Sequence, residues 1–164
     1  MTKIGIISDT HSTINPKVLD FLKVCNYIFH AGDIGNISVI EQLQEIAPVY
    51  AVHGNIDDHK TRLQFPEVLV GKIEDVKVAI THIGGQPNRY TQLAKKIIHQ
   101  NRPKLFITGH SHICKVMFDQ KYQMLYINPG AAGNHGFHRN ITAIRLDVEA
   151  DRLSNLELFD LERK

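Results

Sequence analysis

Strand-length apolar runs alternate with helix-patterned stretches through the first two-thirds of this 164-residue chain, and the residues just past each run are of one chemical kind. Lys3–Ser8 (KIGIIS), Tyr27–Ala31 (YIFHA) and Val49–His53 (VYAVH) read as strands. Asn15–Cys25 opens with an Asn cap and Pro16 at the first helical position, and Ser38–Ala47 carries Ser38 and Glu41 at capping-box spacing, so both are expected to be crossover helices between parallel strands. Glu67–Thr81 reads as a hairpin turning near Glu74 and Asp75, Thr91–Asn101 as a third helix stopped before Pro103, and Lys104–Thr108 as another strand. The last third changes character: 115–119, 123–128, 141–149 and 154–161 read as strands joined by short turns, mostly antiparallel. An α/β fold of two packed sheets with helices outside buries all these faces, and with no linker or repeat the expectation is one domain over 1–164.

Directly past the runs lie Asp9-Thr10-His11, then Gly32-Asp33, then Gly54-Asn55-Ile56-Asp57, then His82, then His110 and His112. Carboxyl ends of strands in α/β sheets gather at one edge, so positions a hundred residues apart can converge there. Asp9, His11, Asp33, Asn55, His82, His110 and His112 offer more nitrogen and oxygen donors than one tetrahedral ion takes; they suit two ions sharing a carboxylate, for which Asp33 is central. Taken singly each motif has a plainer origin, since Asp-x-His, Gly-Asp and Gly-Asn all occur as turns. Five consecutive strand ends of metal-compatible type are another matter, because clustered carboxylates and imidazoles without a cation carry a heavy electrostatic cost. In "ITGHSHICKV" (107–116) the two-residue spacing of an extended segment aims His110 and His112 at one place. His30 and His53 are read as strand or supporting residues rather than ligands, Asp57 as outside the ligand set, Cys25 as a buried thiol on a helical face, and Cys114 as a thiol outside the ligand set.

Charge narrows the partners. Lys+Arg 19 against Asp+Glu 17, with no basic stripe interleaved with aromatics, gives no footprint for duplex nucleic acid. The apolar run 4–7 is too short for a secretion signal and nothing approaches a membrane span, so a cytoplasmic chain without membrane contact is expected. There is no Gly-Lys-Ser/Thr phosphate loop and no Gly-x-Ser-x-Gly elbow.

The order Asp-x-His, Gly-Asp, Gly-Asn-x-Asp, His, Gly-His-x-His resembles the calcineurin-like metallophosphoesterase superfamily, and the short length with "INPGA" (127–131) resembles its small prokaryotic phosphodiesterase branch. The resemblance implies a four-layer α-β-β-α sandwich of two mixed sheets. It implies one metal on Asp9, His11, Asp33 and His112, and a second on Asp33, Asn55, His82 and His110. The cofactors implied are two divalent ions, manganese first, with iron, zinc, nickel and magnesium also found in such sites. The reaction implied is hydrolysis of a small phosphodiester by a water that the two ions activate. Asn55 is then an uncharged ligand that also touches the phosphate. Larger members have a histidine after Gly-Asn that protonates the leaving group; here that position is Ile56, leaving His59, His135 and His138 as substitute general acids. A further departure is Ile83, where glycine usually follows the ligand histidine. The rival is a protein-interaction scaffold, because a retromer subunit resembles the same family; that scaffold has lost metal-site residues, and this chain retains every ligand type.

Overall fold

A computed structural model describes Met1 to Lys164. The strands β1 (Thr2–Ile7), β2 (Tyr27–His30) and β3 (Val49–Ala51) are parallel, and β1 is flanked on its other side by the antiparallel pair β11 (Asn140–Glu149) and β12 (Arg152–Glu162). The second sheet runs β4 (Val68–Ile73), β5 (Val76–Thr81), β8 (Leu105–Ile107), β10 (Met124–Pro129), β9 (Cys114–Asp119), with β5, β8 and β10 parallel and both edges antiparallel. A two-stranded ribbon, β6 (Gly85–Gln86) and β7 (Arg89–Tyr90), precedes the longest helix.

Side-chain alternation assembles four layers. In β1, Ile4 and Ile6 enter the layer between the sheets while Ile7 faces the opposite side, under α1 (Pro16–Leu22) and α2 (Ser38–Gln44). In β8, Leu105 and Ile107 face the inter-sheet layer and Phe106 faces α4 (Gln92–Asn101), with Tyr126 of β10 beside it. Strands buried on both faces read as unbroken apolar runs, which is why KIGIIS and KLFIT stand out in the sequence. The four-layer sandwich of two mixed sheets is therefore what the chain forms. The hairpin turns at Glu74 (φ +50°), and the third expected helix, α4, closes on Arg102 in the left-handed conformation (φ +47°) before Pro103. No helix is long and apolar enough to cross a membrane.

Local expectations fail at four places. Helix α1 keeps its Asn15 cap, which accepts from the Lys17 amide at 2.9 Å, but ends at Leu22, so Cys25 lies beyond the helix although its thiol is buried. Ser38 does not cap α2: it is already helical, and Asn36 accepts the Ser38 amide at 2.9 Å instead. A short helix, α3 (His59–Gln64), comes after β3, capped by Asp58 accepting from the Thr61 amide; only that Asp-x-x-Thr spacing announces it. His110 and His112 do not lie in extended chain, since both have positive φ.

Candidate metal centre

The parallel strands β1, β2 and β3 of one sheet and β5, β8 and β10 of the other deliver the residues past their ends to one cleft. Backbone hydrogen bonds knit these ends together: the Asp9 amide donates to the Gly32 carbonyl, the His11 amide to Asp33, and the Gly109 amide to His82. Two groups of side chains result. Donor atoms of Asp9, His11 and His112 lie within 4.8 Å of one another, and so do those of Asp33, His82 and His110. Asn55 joins the second group, its Oδ1 being 3.1 Å from His82 Nε2 and 3.1 Å from His110 Nδ1.

Several of these residues are held under backbone strain. Asp9, His11, Asp33, His110 and His112 have φ of +54°, +46°, +55°, +73° and +61°. Such conformations cost roughly 1–3 kcal/mol each in a non-glycine residue and persist only where the surroundings enforce them. This corrects the extended geometry expected for Gly-His-x-His. Left-handed turns, not strand parity, orient the rings, and they send His110 to one group and His112 to the other. Glycines make the close approach possible: a methyl group on Gly54 would collide with the Asp33 carboxylate, and one on Gly109 with Ser8 and Asp9.

Each carboxylate has one oxygen held by protein donors and one turned inward. Asp9 Oδ2 accepts from the Ser8 hydroxyl (2.6 Å) and the His110 amide (3.0 Å), while Oδ1 is buried with no hydrogen-bond partner. Asp33 Oδ1 accepts the Ile56 amide at 3.0 Å, and Oδ2 lies 3.4 Å from His11 Nε2 and 3.2 Å from His82 Nε2, between the two groups. His82 is 3% exposed and donates from Nδ1 to the Ala31 carbonyl (2.7 Å), which leaves Nε2 facing the Asp33 oxygen. A neutral ring in that tautomer presents a lone pair to an anion. The contact becomes attractive only if Nε2 is protonated or a cation lies between them. Burial alone would raise the Asp9 carboxyl, but contacts with His11 and His112, the charge of His82 and the Ser8 hydrogen bond hold it far below the carboxylate range. Burial opposes ionisation of Asp33 too, and the His82 contact outweighs it. Correspondingly His11 is raised, chiefly by Asp9, and His82 is raised by Asp33 and Asp9 against its own burial. The unpartnered Asp9 Oδ1 and His11 Nε2, and the inward Asp33 Oδ2, form a donor set that fits a pair of divalent cations.

Supporting residues surround these. His30 is fully buried between the Gly32 amide, which donates to its Nδ1, and Thr10, and burial pushes its pKa down to about 4, so it is a neutral clamp. His53 donates to the Phe65 carbonyl at 2.8 Å. The Asp57 carboxylate accepts the amides of Ile34, Gly35 and Gly54 (3.2, 2.9 and 2.8 Å), stitching the turn after β2 to the turn after β3. Arg62 of α3 donates to the carbonyls of Asp57 and Asn55. On the other wall, Asn128 donates to the Gly109 carbonyl and Ser111 hydroxyl, both at 3.0 Å, and fixes the loop carrying His110 and His112. Neither Arg62 nor Asn128 is singled out by sequence pattern, although Asn128 sits in the Asn-Pro-Gly turn. Cys114 begins β9 outside both groups.

The cleft has a volume of about 500 Å³ and is lined by His11, Asp33, Asn55, His110, His112 and His138, with exposed Ile56, Ile113 and Phe137 at its rim. Of the three candidate acids, only His138 lines it. The His138 ring sits edge-on to His112 with centroids 5.4 Å apart, donates from Nε2 to the Gly133 carbonyl at 2.7 Å, and is buried with Nδ1 unpartnered. His59 and His135 are exposed, His59 at the start of α3 and His135 in the loop before β11.

Comparison with known proteins adds an independent line. Residues 2–151 match the family model of the calcineurin-like phosphoesterase superfamily domain. A probable metallophosphoesterase of Methanothermobacter thermautotrophicus is 31% identical over 133 residues, covering 78% of this chain and 76% of the relative. Among solved structures, wild-type Vps29 of Entamoeba histolytica complexed with Zn²⁺ superposes with a TM-score of 0.75 at 19% identity, covering 99% of each chain. A predicted phosphoesterase of Streptococcus pneumoniae gives 0.67 at 21% identity, covering 99% of this chain and 91% of that one. At these identities the two structures speak for the fold.

Proposed function

The chain belongs to the calcineurin-like phosphoesterase superfamily, and we propose that within it this protein is a hydrolase of small phosphodiesters that works with two divalent ions. Asp9, His11, Asp33 and His112 would hold one ion, and Asp33, Asn55, His82 and His110 the other, with Asp33 Oδ2 shared. When bound, the pair would supply positive charge at the phosphoryl oxygens and lower the pKa of the attacking water. The observation that carries this reading is the convergence of two inward carboxylate oxygens on imidazole nitrogens: Asp9 Oδ1 lies 3.1 Å from His112 Nε2 without a hydrogen bond formed to it, and Asp33 Oδ2 lies 3.2 Å from His82 Nε2 and 3.4 Å from His11 Nε2. Manganese is the ion proposed first. The Vps29 neighbour complexed with zinc supports testing that ion beside it.

The chain's own groups divide the remaining work. The Ala31 carbonyl fixes the His82 tautomer, and Asp57 and Arg62 hold the Asn55 turn so that its amide side chain meets both imidazoles. Ile56 has no proton to give the departing oxygen, and the Nε2 proton of His138 is committed to Gly133. His59 and His135 are exposed and do not line the cleft. Cleavage should therefore track the acidity of the leaving alcohol, since a positioned acid is worth roughly 10²–10⁴-fold. The test is a manganese- and zinc-supplemented assay on bis(4-nitrophenyl) phosphate, 4-nitrophenyl phosphate and alkyl diesters. Hydrolysis of the aryl diester well ahead of the monoester supports the reading; inertness toward every ester with both ions loaded, as a scaffold would show, ends it.

A further inference from the structure

Beside the metal cleft, and sharing His110, Ser111 and Ile113 with it, lies a second cavity of about 230 Å³. At about 30 Å³ per water in the liquid, it has room for roughly seven or eight waters, the scale of a single ring system rather than a long chain. Two isoleucines line it, Ile83 and Ile113, and they stand 42% and 67% exposed although most isoleucines of this chain are buried. The polar lining is of the opposite chemical sense to the carboxylate-bearing cleft. Lys115 Nζ donates to Gln86 Oε1 at 2.8 Å, which uses one of three ammonium protons and one of the amide oxygen's two lone pairs. The donors on offer include two N–H of Lys115 Nζ and two of Gln86 Nε2, beside the Ser111 hydroxyl and the His110 ring, with no carboxylate among the lining residues.

Both walls are held in place. Tyr126 donates to the Gly85 carbonyl at 2.6 Å, securing the segment that carries Ile83 and Gln86. The Ser111 hydroxyl accepts the Ile113 amide at 3.2 Å and the Asn128 side-chain amide at 3.0 Å, securing the turn that carries Ile113. An apolar cavity with a few fixed donors is the usual form of a small-molecule site.

We propose that this cavity is the subsite for one ester group of the substrate, and that the group is an acceptor-bearing planar ring of nucleobase type, so that the substrate is a nucleoside phosphodiester. Apolar side chains meet the ring, and the Lys115–Gln86 donors meet its carbonyl oxygens or ring nitrogens. The inference rests on the phosphodiesterase reading and deepens it.

The test compares three diesters that share a 4-nitrophenyl leaving group and differ in the retained ester: thymidine 5′, phenyl and methyl. For the zinc-loaded full chain, kcat/KM for the thymidine ester is expected to exceed that for the methyl ester by about tenfold or more, the effect of burying one ring. Lys115→Met and Ile113→Ser should each bring the ratio down severalfold, whereas Lys72→Met on the β4 edge should leave it alone. A ratio near one, or a phenyl ester that gains as much as the thymidine ester, overturns the proposal. Binding gives a second readout independent of turnover. Thymidine 5′-monophosphate titrated into the zinc-loaded chain should shift the amides of 83–86 and 111–115 together, and silence at 83–86 with binding elsewhere overturns the subsite. Failure of all three diesters to react would defeat the phosphodiesterase reading, and the amide shifts would still decide the cavity.

Discussion

The layer between the sheets and the cleft at the strand ends are built by opposite rules from adjacent residues. Ile4, Ile6, Ile80, Leu105, Ile107 and Ile144 fill the first without a polar side-chain atom to satisfy, each fully buried in ordinary strand geometry. A few positions on, Asp9, His82 and His110 belong to a cluster with left-handed backbone, paired anions and unpartnered buried atoms. One region stores stability, and the other spends part of it to hold charges that repel. The difference teaches that the core serves as an anvil: five left-handed non-glycine residues hold their shape because the strands behind them cannot yield.

Substitutions should separate the two regions cleanly. Asp33→Ala removes the oxygen lying between the two groups, and activity with saturating metal should fall by about 10³-fold or more while the fold persists by circular dichroism. In the core, Ile144→Ala should lower unfolding stability by about 2–5 kcal/mol, with kcat of the folded fraction little changed; a comparable loss of kcat would mean that core and cleft are not separable. Asp57→Ala and Asn128→Ala touch neither the core nor the inward-facing donors. As supports they should each reduce activity or metal affinity by about 10–100-fold, measured by titration with zinc. Asp57→Ala matching Asp33→Ala would show that the shared carboxylate has been misassigned.

Much of this contrast is visible in the sequence, for reasons that differ by region. Strands buried on both faces leave unbroken apolar runs, so the sheets and the crossover order are legible, as is the hairpin at Glu74. The donor residues are legible because each lies directly past such a run, where topology alone brings it to the common edge. Their geometry is not. Whether Gly-His-x-His continues a strand or turns left-handed depends on Asn128, which holds the loop through Gly109 and Ser111, 19 and 17 residues before it. The supports Asp57 and Arg62 bond to backbone groups, which every residue carries, so no partner pattern betrays them. Helix α3 and the ribbon β6–β7 escape a reading by periodicity because six and two residues are too few to show a period.

Proton competition sharpens the comparison at a smaller scale. His11 and His82 have pKa values raised above the ordinary ~6.5 of imidazole by Asp9 and Asp33, whose own values are lowered. Raised histidines keep their protons to higher pH, and a cation must displace them. Zinc affinity should therefore fall as pH drops from about 8 to about 6, by about tenfold per unit for each proton displaced. None of the 14 buried residues of the inter-sheet layer carries a titratable side chain, so the stability lost in Ile144→Ala should show no matching step over that window when variant and parent are compared without metal.

The central claim is that Asp33 joins two cation sites in one cleft. Elemental analysis of the chain after reconstitution with manganese or zinc and gel filtration tests it most directly. About two ions per chain, with Asp33→Ala losing most of both, is the result predicted; a stoichiometry of zero under saturating metal, or an unchanged two ions in Asp33→Ala, would contradict it.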